Sequence, residues 1–568
     1  MKKIIKMIIV ATLIFVASCS KEFTSIDPVG SLSDTALQNA TGVDLLLTGA
    51  YSILDGVRQG GKGNGWGRSA DNWVMDVVSD DAHKGSTDSD QADLFELEVY
   101  NWQTGNGYFL ARWEVLYAGV NRANAVISLI NNSDNPSDFK VELAQAHFLR
   151  GHFNFELKKI FGNVPFISQE NYDNNEFNQP NSGSTVITWD KIESDFDFAA
   201  QNLPSTRGGS YIQPGRPIAS AAKAFLGKTQ LYQQKWSEAL TSLEAVINSG
   251  NYSMHPELLS NFVSSSENGP EAIFAIQYSA DDALSKQGNA TGALNYPGGG
   301  PFGSCCGFYQ PSQDLLDAYQ TKDGLPVAID SRVVINSDYN IKSSDAFTLY
   351  SGPIDPRADY TVGRRGIDYN GYGVHVGKDW IRASFDDISG PYLPKKNVYQ
   401  KDDVANQAQG GWGQQLSGIN YHIIRYADVI LMAAEAAIEL GDLEKGRAYI
   451  NQIRERAKNM TYIKAADGSD AANYQIELYN QPWVDQAAAR IAVRTERRLE
   501  LGMEGHRFFD LQRWGIAENV INNYIKRESA TIIPFGKGHS FESKHNLFPI
   551  PLSAIDGSGG VLAQNPGH

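Results

Sequence analysis

Two distant stretches of this chain carry the same helical pattern, and that repetition limits the folds open to it. Residues 222–240 and 429–447 align without a gap: Gly227 falls on Ala434, Leu231 on Ile438 and Trp236 on Leu443. Each stretch reads as a helix, a tight turn at Gln234-Lys235 or Gly441-Asp442, and a second helix. Small residues at the crossing let the paired helices approach. One pair cannot bury its own apolar face, so several must stack around a shared core. Thr35 to Leu54 adds a further helical pattern through Leu45, Leu46, Ala50 and Ile53. Residues 112–161 predict two more helices, one carrying Trp113, Leu116, Val120 and Ala123, the other Leu143, Ala146, Phe148, Leu149 and Phe153. The second should stop at Gly162, ahead of Pro165. The expected fold class is mainly α.

Residues 262–420 break this pattern. They are rich in Gly, Pro, Asp, Tyr and Ser, and Glu271 to Tyr278 reads as a short strand. So long a loop-rich insertion in a helical frame usually carries function. The expected organisation is a signal peptide at 1–18, a tether at 19–33 and a single domain at 34–568. Within that domain the helical frame would occupy about 34–261 and 421–525, and the loop-rich lobe about 262–420.

The first residues set the compartment. Lys2, Lys3 and Lys6 precede an apolar run from Ile8 to Ala17 interrupted only by Thr12, and Ser18 and Cys19 follow. This is a secretory signal, shorter than the roughly 20 apolar residues a spanning helix needs. Val16-Ala17-Ser18-Cys19 resembles a bacterial lipobox, and Ser20-Lys21-Glu22 resembles a surface-export tag. Cleavage before Cys19 and its acylation would tie the chain to the outer membrane, facing the cell exterior, each buried methylene contributing about 0.8 kcal/mol. The formal net charge of -16 argues against nucleic acid, which demands clustered Lys and Arg.

No enzyme motif stands out. The ten His show no HExxH spacing, and His147 and His152 read as packing residues on a helix. There is no G-x-S-x-G elbow and no P-loop. Asp80, Asp81, Asp88, Asp90 and Asp93 invite a calcium reading, but the spacing departs from an EF-hand loop. Solvated carboxylates, or one bonded to a sugar hydroxyl, suit them better. No metal or cofactor is expected.

Aromatic residues in Gly-rich loops are the clearest functional signal. Trp66 and Trp73 flank such a turn, Trp102 follows Tyr100-Asn101, and Trp412 sits within Gly410–Gly413. Tyr296 to Tyr309 combines aromatics, glycines and the adjacent pair Cys305 and Cys306. Sugar rings stack their C–H faces on aromatic faces, while their hydroxyls seek Asp, Asn and Arg. The candidate glycan ligands are therefore Trp66, Trp73, Asp81, Trp102, Cys305, Cys306, Tyr309, Arg382 and Trp412. For the cysteines two readings stand. They are two reduced, packed thiols, or a vicinal disulfide that closes a strained ring, since neighbouring Cα atoms lie only about 3.8 Å apart. A glycoside hydrolase would share such a cleft, but no pair of carboxylates is marked out for cleavage.

The last third carries a family resemblance. Arg425 to Ala436, Arg494 to Leu501, Glu504 to Trp514, Leu547 to Pro551 and Gln564 to Pro566 resemble the SusD/RagB signature. Phe161 to Pro165, Asp355 to Arg357 and Ser79 to Ala82 add to it. The resemblance implies tetratricopeptide-like helix pairs packed against an irregular lobe with short strands. It also implies a non-catalytic, lipid-anchored protein that captures oligosaccharide for a SusC-like TonB-dependent transporter; some members serve peptide uptake instead. The adjacent cysteines resemble those of fructan-binding members. Arg494, Glu496, Arg497, Arg498 and Glu500 are expected to tie neighbouring helices together from a half-buried helix, and not to bind ligand.

Overall fold

The computed structural model describes residues 34–568, apart from 57–60, 69–72, 281–294, 296, 303–305, 336, 340, 383–388, 410–414 and 533–538. Cys19 with its signal and tether, Cys305 and Trp412 lie outside the described residues, as does the side chain of Trp73, which opens the short helix Trp73–Val77.

Among the described residues, helices of twelve residues or more are α1 (Ala40–Ser52), α2 (Gly107–Asn131), α3 (Lys140–Phe161), α4 (Trp189–Asn202), α5 (Ala219–Tyr232), α6 (Trp236–Ile247), α7 (Tyr426–Glu439), α8 (Leu443–Asn459), α9 (Gln486–Leu501) and α10 (Ala517–Glu528). Local chemistry sets their ends. The helical pattern expected from Thr35 to Leu54 is split: one turn, Asp34–Leu37, is followed by a break and by α1, whose start is fixed by the Asn39 side chain accepting from the amides of Thr41 and Gly42. Asn106 caps Tyr108, so α2 begins before residue 112. Gly162, at φ 74°, ends α3 as expected.

Each helix from α1 to α9 packs on the next, so the stack is continuous. The contact of α6 with α7 is the informative one, because the whole loop-rich lobe is inserted between them. Strands β2 (Ala272–Ile276) and β4 (Tyr421–Arg425) pair antiparallel where the insertion leaves and rejoins the frame. The two repeated units are α5–α6 and α7–α8. Their turns take positive φ at Gln234 (59°) and Gly441 (84°). A side chain at Gly227 would strike Leu243 of α6, and one at Gly446 would strike Ile438 of α7. Backbone proximity is thus built into both pairs. Phe148, Phe196, Phe225 and Phe274 interlock between α3, α4, α5 and β2, with ring centroids 4.8 to 5.7 Å apart. Full burial of one such ring stabilises the fold by about 1.5–3 kcal/mol.

The family-signature helix α9 is half-buried: Ala487, Ala488 and Ile491 face solvent, and Glu496 to Leu501 are enclosed. Arg497 pairs with Asp428 of α7 and Asp510, each at 2.9 Å, which ties neighbouring helices as expected. Its neighbours reach further. Arg498 holds Asp81 and Asp314, each at 2.8 Å, while Glu500 accepts from Arg357 and Arg425. These buried charges join the frame to the lobe. A smaller core of Phe302, Tyr369, Ile381, Leu393, Val398, Tyr399 and Ile419 lies within the lobe itself.

Candidate functional site

Two strands fix the site. β1 (Ala82–Gly85) pairs antiparallel with β3 (Phe308–Pro311), with Gly85 opposite Phe308. In that register the chain leaves β1 and enters β3 at the same end, so the 86–91 loop and the turn before Phe308 emerge side by side. Glycine is required there. Gly85 has φ 81° and Gly307 φ 73°, and a Cβ on Gly85 would overlap the Gly307 carbonyl oxygen.

The first loop is held from within. Buried Lys84 donates to the carbonyls of Gly85, Thr87 and Asp90 at 2.7 to 2.8 Å, and its ammonium lies 5.1 Å from the Phe308 ring centre. Burial pushes its pKa down to about 8. Lys84 therefore shapes the loop and is not presented to a ligand. Asp90 faces outward and accepts from Ser86 Oγ at 2.6 Å and Arg382 Nη1 at 2.7 Å. The same Arg382 nitrogen donates to the Cys306 carbonyl at 3.2 Å, so Arg382 clasps both loops.

A third loop joins through Gln91. Its Oε1 accepts from Asn64 Nδ2 and the Tyr108 hydroxyl. Asn64 also donates its amide to Gly107 O and caps the single turn Gly65–Gly67. That turn presents Trp66, half-buried against the edge of the core. Trp66, Asp90, Arg382 and Cys306 are thereby brought to one edge by hydrogen bonds between three loops, joined where Gln91 follows Asp90 in the chain. Beside them Trp380, also half-buried, packs edge-on against Phe302 at 5.5 Å. Sequence reasoning missed Trp380. Its signal was Gly377, which opens its turn, and its place two residues before Arg382.

Three candidates are not ligand contacts. Asp81 is fully buried and bonded to Arg498 Nε, and Asp80 is likewise buried against Arg507, so neither is a solvated carboxylate or a sugar acceptor. Paired with arginines, both are also unsuited to holding calcium. Trp102 is core: its Nε1 donates to Leu97 O at 3.0 Å and its ring lies among Phe109, Phe508, His545 and Phe548. Tyr309 is fully buried, with φ 55° turning its side chain inward. Arg498 for Asp81, and Phe508, His545 and Phe548 for Trp102, come from chain segments far away in sequence. Cys306 is disulfide-bonded, with its partner outside the described residues. Its side chain is buried, so the linkage shapes the turn and offers Cys306 no open face for stacking. His147 bonds Asp195 at 2.7 Å, and His152 is packed among Phe153, Phe225 and Phe274.

A stack of helix pairs bearing one inserted lobe, with Trp66 and Asp90 on loops of the frame meeting Arg382 and Cys306 of the lobe, defines a helical-repeat protein of one architectural class. The chain belongs to the SusD family: the model of that family matches residues 270–568, more than half of its length, and a second, described as "Starch-binding associating with outer membrane", matches residues 33–231. Among curated relatives, a SusD-like protein P2 of Formosa agariphila is 25% identical over 492 residues, 83% of each chain. A SusD-like carbohydrate binding protein from Bacteroides fragilis is similar in structure at TM-score 0.68 and 23% identity, covering 93% of this chain and 99% of that one. So is surface glycan-binding protein A from Bacteroides thetaiotaomicron, solved in complex with laminarihexaose, at TM-score 0.65 and 20% identity over 93% and 99%. No helix among the described residues is long and apolar enough to cross a membrane.

Proposed function

We propose that this chain is a cell-surface, lipid-anchored glycan-binding protein that captures oligosaccharide without cleaving it and delivers it to a SusC-like TonB-dependent transporter in the outer membrane. The observation that carries the reading is the edge that brings half-buried Trp66 and the Asp90–Arg382 pair together, with half-buried Trp380 two residues before Arg382. The rings supply stacking faces, and the ion pair supplies an acceptor and a donor for hydroxyls. Membership of the SusD family supports it, as do relatives named for carbohydrate and laminarihexaose binding. Within the glycan class the adjacent cysteines favour a fructan.

Calorimetry of the detergent-solubilised full chain against inulin-type fructans, laminarihexaose and maltohexaose tests this. Saturable binding to at least one, with no release of reducing ends, is expected. Steady release of reducing ends at catalytic turnover would make the protein a hydrolase. Binding of peptides alone would move it to peptide uptake. A mild-detergent pull-down from the native membrane should recover a large β-barrel transporter, and recovery of the lipoprotein alone counts against that partner.

Anchoring is assigned to Cys19. In a strain lacking the transporter, Cys19→Ala should move the protein from the membrane pellet to the soluble fraction. Retention in the pellet through detergent-free washing removes the lipid assignment.

The linkage at Cys306 is assigned to Cys305 as a vicinal disulfide that locks the turn meeting Arg382. Intact mass of the unreduced protein should be two hydrogens below the reduced form. Cys305→Ser with Cys306→Ser should leave the frame folded and weaken glycan binding about tenfold, about 1.4 kcal/mol. Two alkylatable thiols in the unreduced protein, with unchanged affinity in the double variant, take this turn out of the site.

A further inference from the structure

A second aromatic surface lies on another face of the frame. On α2, Trp113, Tyr117 and Asn121 are four residues apart, so they form one stripe, successive members about 6 Å apart along the axis. Tyr108, whose hydroxyl meets Gln91 at the first site, is five residues before Trp113 and so about 140° away around the helix. The stripe therefore faces away from that site. It lines an open cleft of about 350 Å³, within the roughly 300–1,000 Å³ of small-molecule pockets. Phe177, Asn178 and Gln179 form a second wall, and the C-terminal segment at Ala554–Leu562 closes the third side.

The chemistry of this cleft is specific. Trp113 is buried behind the cleft and packed on Phe161, and Tyr117 stands half-buried against it with ring centroids 4.7 Å apart. Tyr117 is fixed by its hydroxyl bond to Pro165 O at 2.9 Å. Across from them Phe177 is exposed. Asn178 is held by a bond from Nδ2 to Ser558 O, and Gln179 by one from Nε2 to Glu176 O. Asn121 Oδ1 is buried at the cleft and accepts no hydrogen bond among the described residues. Among the described residues no acidic or basic side chain lines the cleft. The exposed Phe177 ring, the half-buried Tyr117 ring and an amide rim, without charge, fit an uncharged polyhydroxylated ligand. A charged ligand would find no partner, and a lipid tail would leave the amides without hydroxyl partners.

We propose that this cleft is a second site for a neutral oligosaccharide, separate from the edge formed by Trp66 and Arg382. The ligand class rests on the glycan reading above, whereas the location rests on the cleft alone. Two sites on one lipid-anchored chain would let it hold separate stretches of one long glycan, which raises avidity through effective concentration.

Hydrogen exchange on the full chain separates the two sites. Laminarihexaose, maltohexaose and an inulin-type hexaose are each added at millimolar concentration to wild type and to Phe177→Ala. Truncating exposed Phe177 leaves the frame intact. The expected result is slowed exchange in peptides covering 113–121, 177–179 and 554–562 of wild type. Phe177→Ala should lose that protection, needing about tenfold more sugar to recover it, while protection at 84–91 is unchanged. Protection at 84–91 alone overturns the second site and leaves the first. Protection at the cleft alone supports this site and removes the first. Protection at neither removes both. Cleft protection that is identical in Phe177→Ala overturns the assignment of these residues.

Discussion

Arg425→Ala should lower the unfolding free energy by about 3–5 kcal/mol, the cost of leaving buried charges without their partner. Arg425 ends β4 at the base of the inserted lobe and is fully enclosed. Its Nη1 donates to Glu271 and Glu500, each at 2.9 Å, and its Nε and Nη2 grip Glu504 at 2.8 and 2.9 Å. Truncation leaves Glu271, Glu500 and Glu504 in the interior with fewer cations. Lys396 still reaches Glu504, Arg456 and Arg357 still reach Glu500, and Arg456 lies 3.6 Å from Glu271, so the loss is partial for all three. Urea titration followed by tryptophan fluorescence reads the change. A variant within about 1 kcal/mol of wild type, the range of an exposed ion pair, would show that the network contributes little. The same residues set an acid limit. Burial alone would raise the Glu504 carboxyl, but Arg425 and Lys396 outweigh it and hold its pKa down to about 2. An unfolded Glu titrates near about 4.3. Its contribution is therefore fully present above that pH and is lost as pH falls toward 2. Wild type should lose stability across that window, and Arg425→Ala should lose less, having less to give up.

Arg382→Ala should weaken oligosaccharide binding at least about tenfold, about 1.4 kcal/mol, while leaving the unfolding transition nearly unchanged. The contrast with Arg425 follows from exposure. Arg382 and Asp90 are each about a third exposed, at 32% and 37% of their side-chain surface, and such pairs add only about 0–1 kcal/mol to stability. Binding is another matter. Arg382 bridges the 86–91 loop to the Cys306 carbonyl, so its loss frees two loops that a ligand must then order again. Calorimetry with whichever oligosaccharide binds wild type, beside Trp66→Ala, is the test. Affinity within twofold of wild type in both variants would move the ligand away from this edge. A matching fall in stability would instead make Arg382 a structural residue.

Helix and turn were legible because they are local. The alignment of Gly227 with Ala434 and of Trp236 with Leu443 identified two helix pairs, and the structure has them as α5–α6 and α7–α8. The stop at Gly162 and the strand at Ala272–Ile276 were likewise written in neighbouring residues. The SusD-like signature was readable as an ordered set of short motifs.

Exposure was not legible. Trp66 and Trp102 both sit near glycines or turns, yet one is presented and the other is packed under Phe508, Phe548 and His545, over 400 residues along the chain. Asp81 and Asp90 belong to one acidic run, and only the distant Arg498 and Arg382 decide that the first is buried and the second open. The sequence by itself determined the helical frame, its turns and its family. Periodicity, caps and positive-φ residues act over a few neighbours, so they survive in the linear text. Only the tertiary structure decided which aromatic rings and carboxylates face solvent. Burial depends on which remote segment covers a side chain, and the pairing of β1 with β3 that sets this edge spans more than 200 residues of intervening chain.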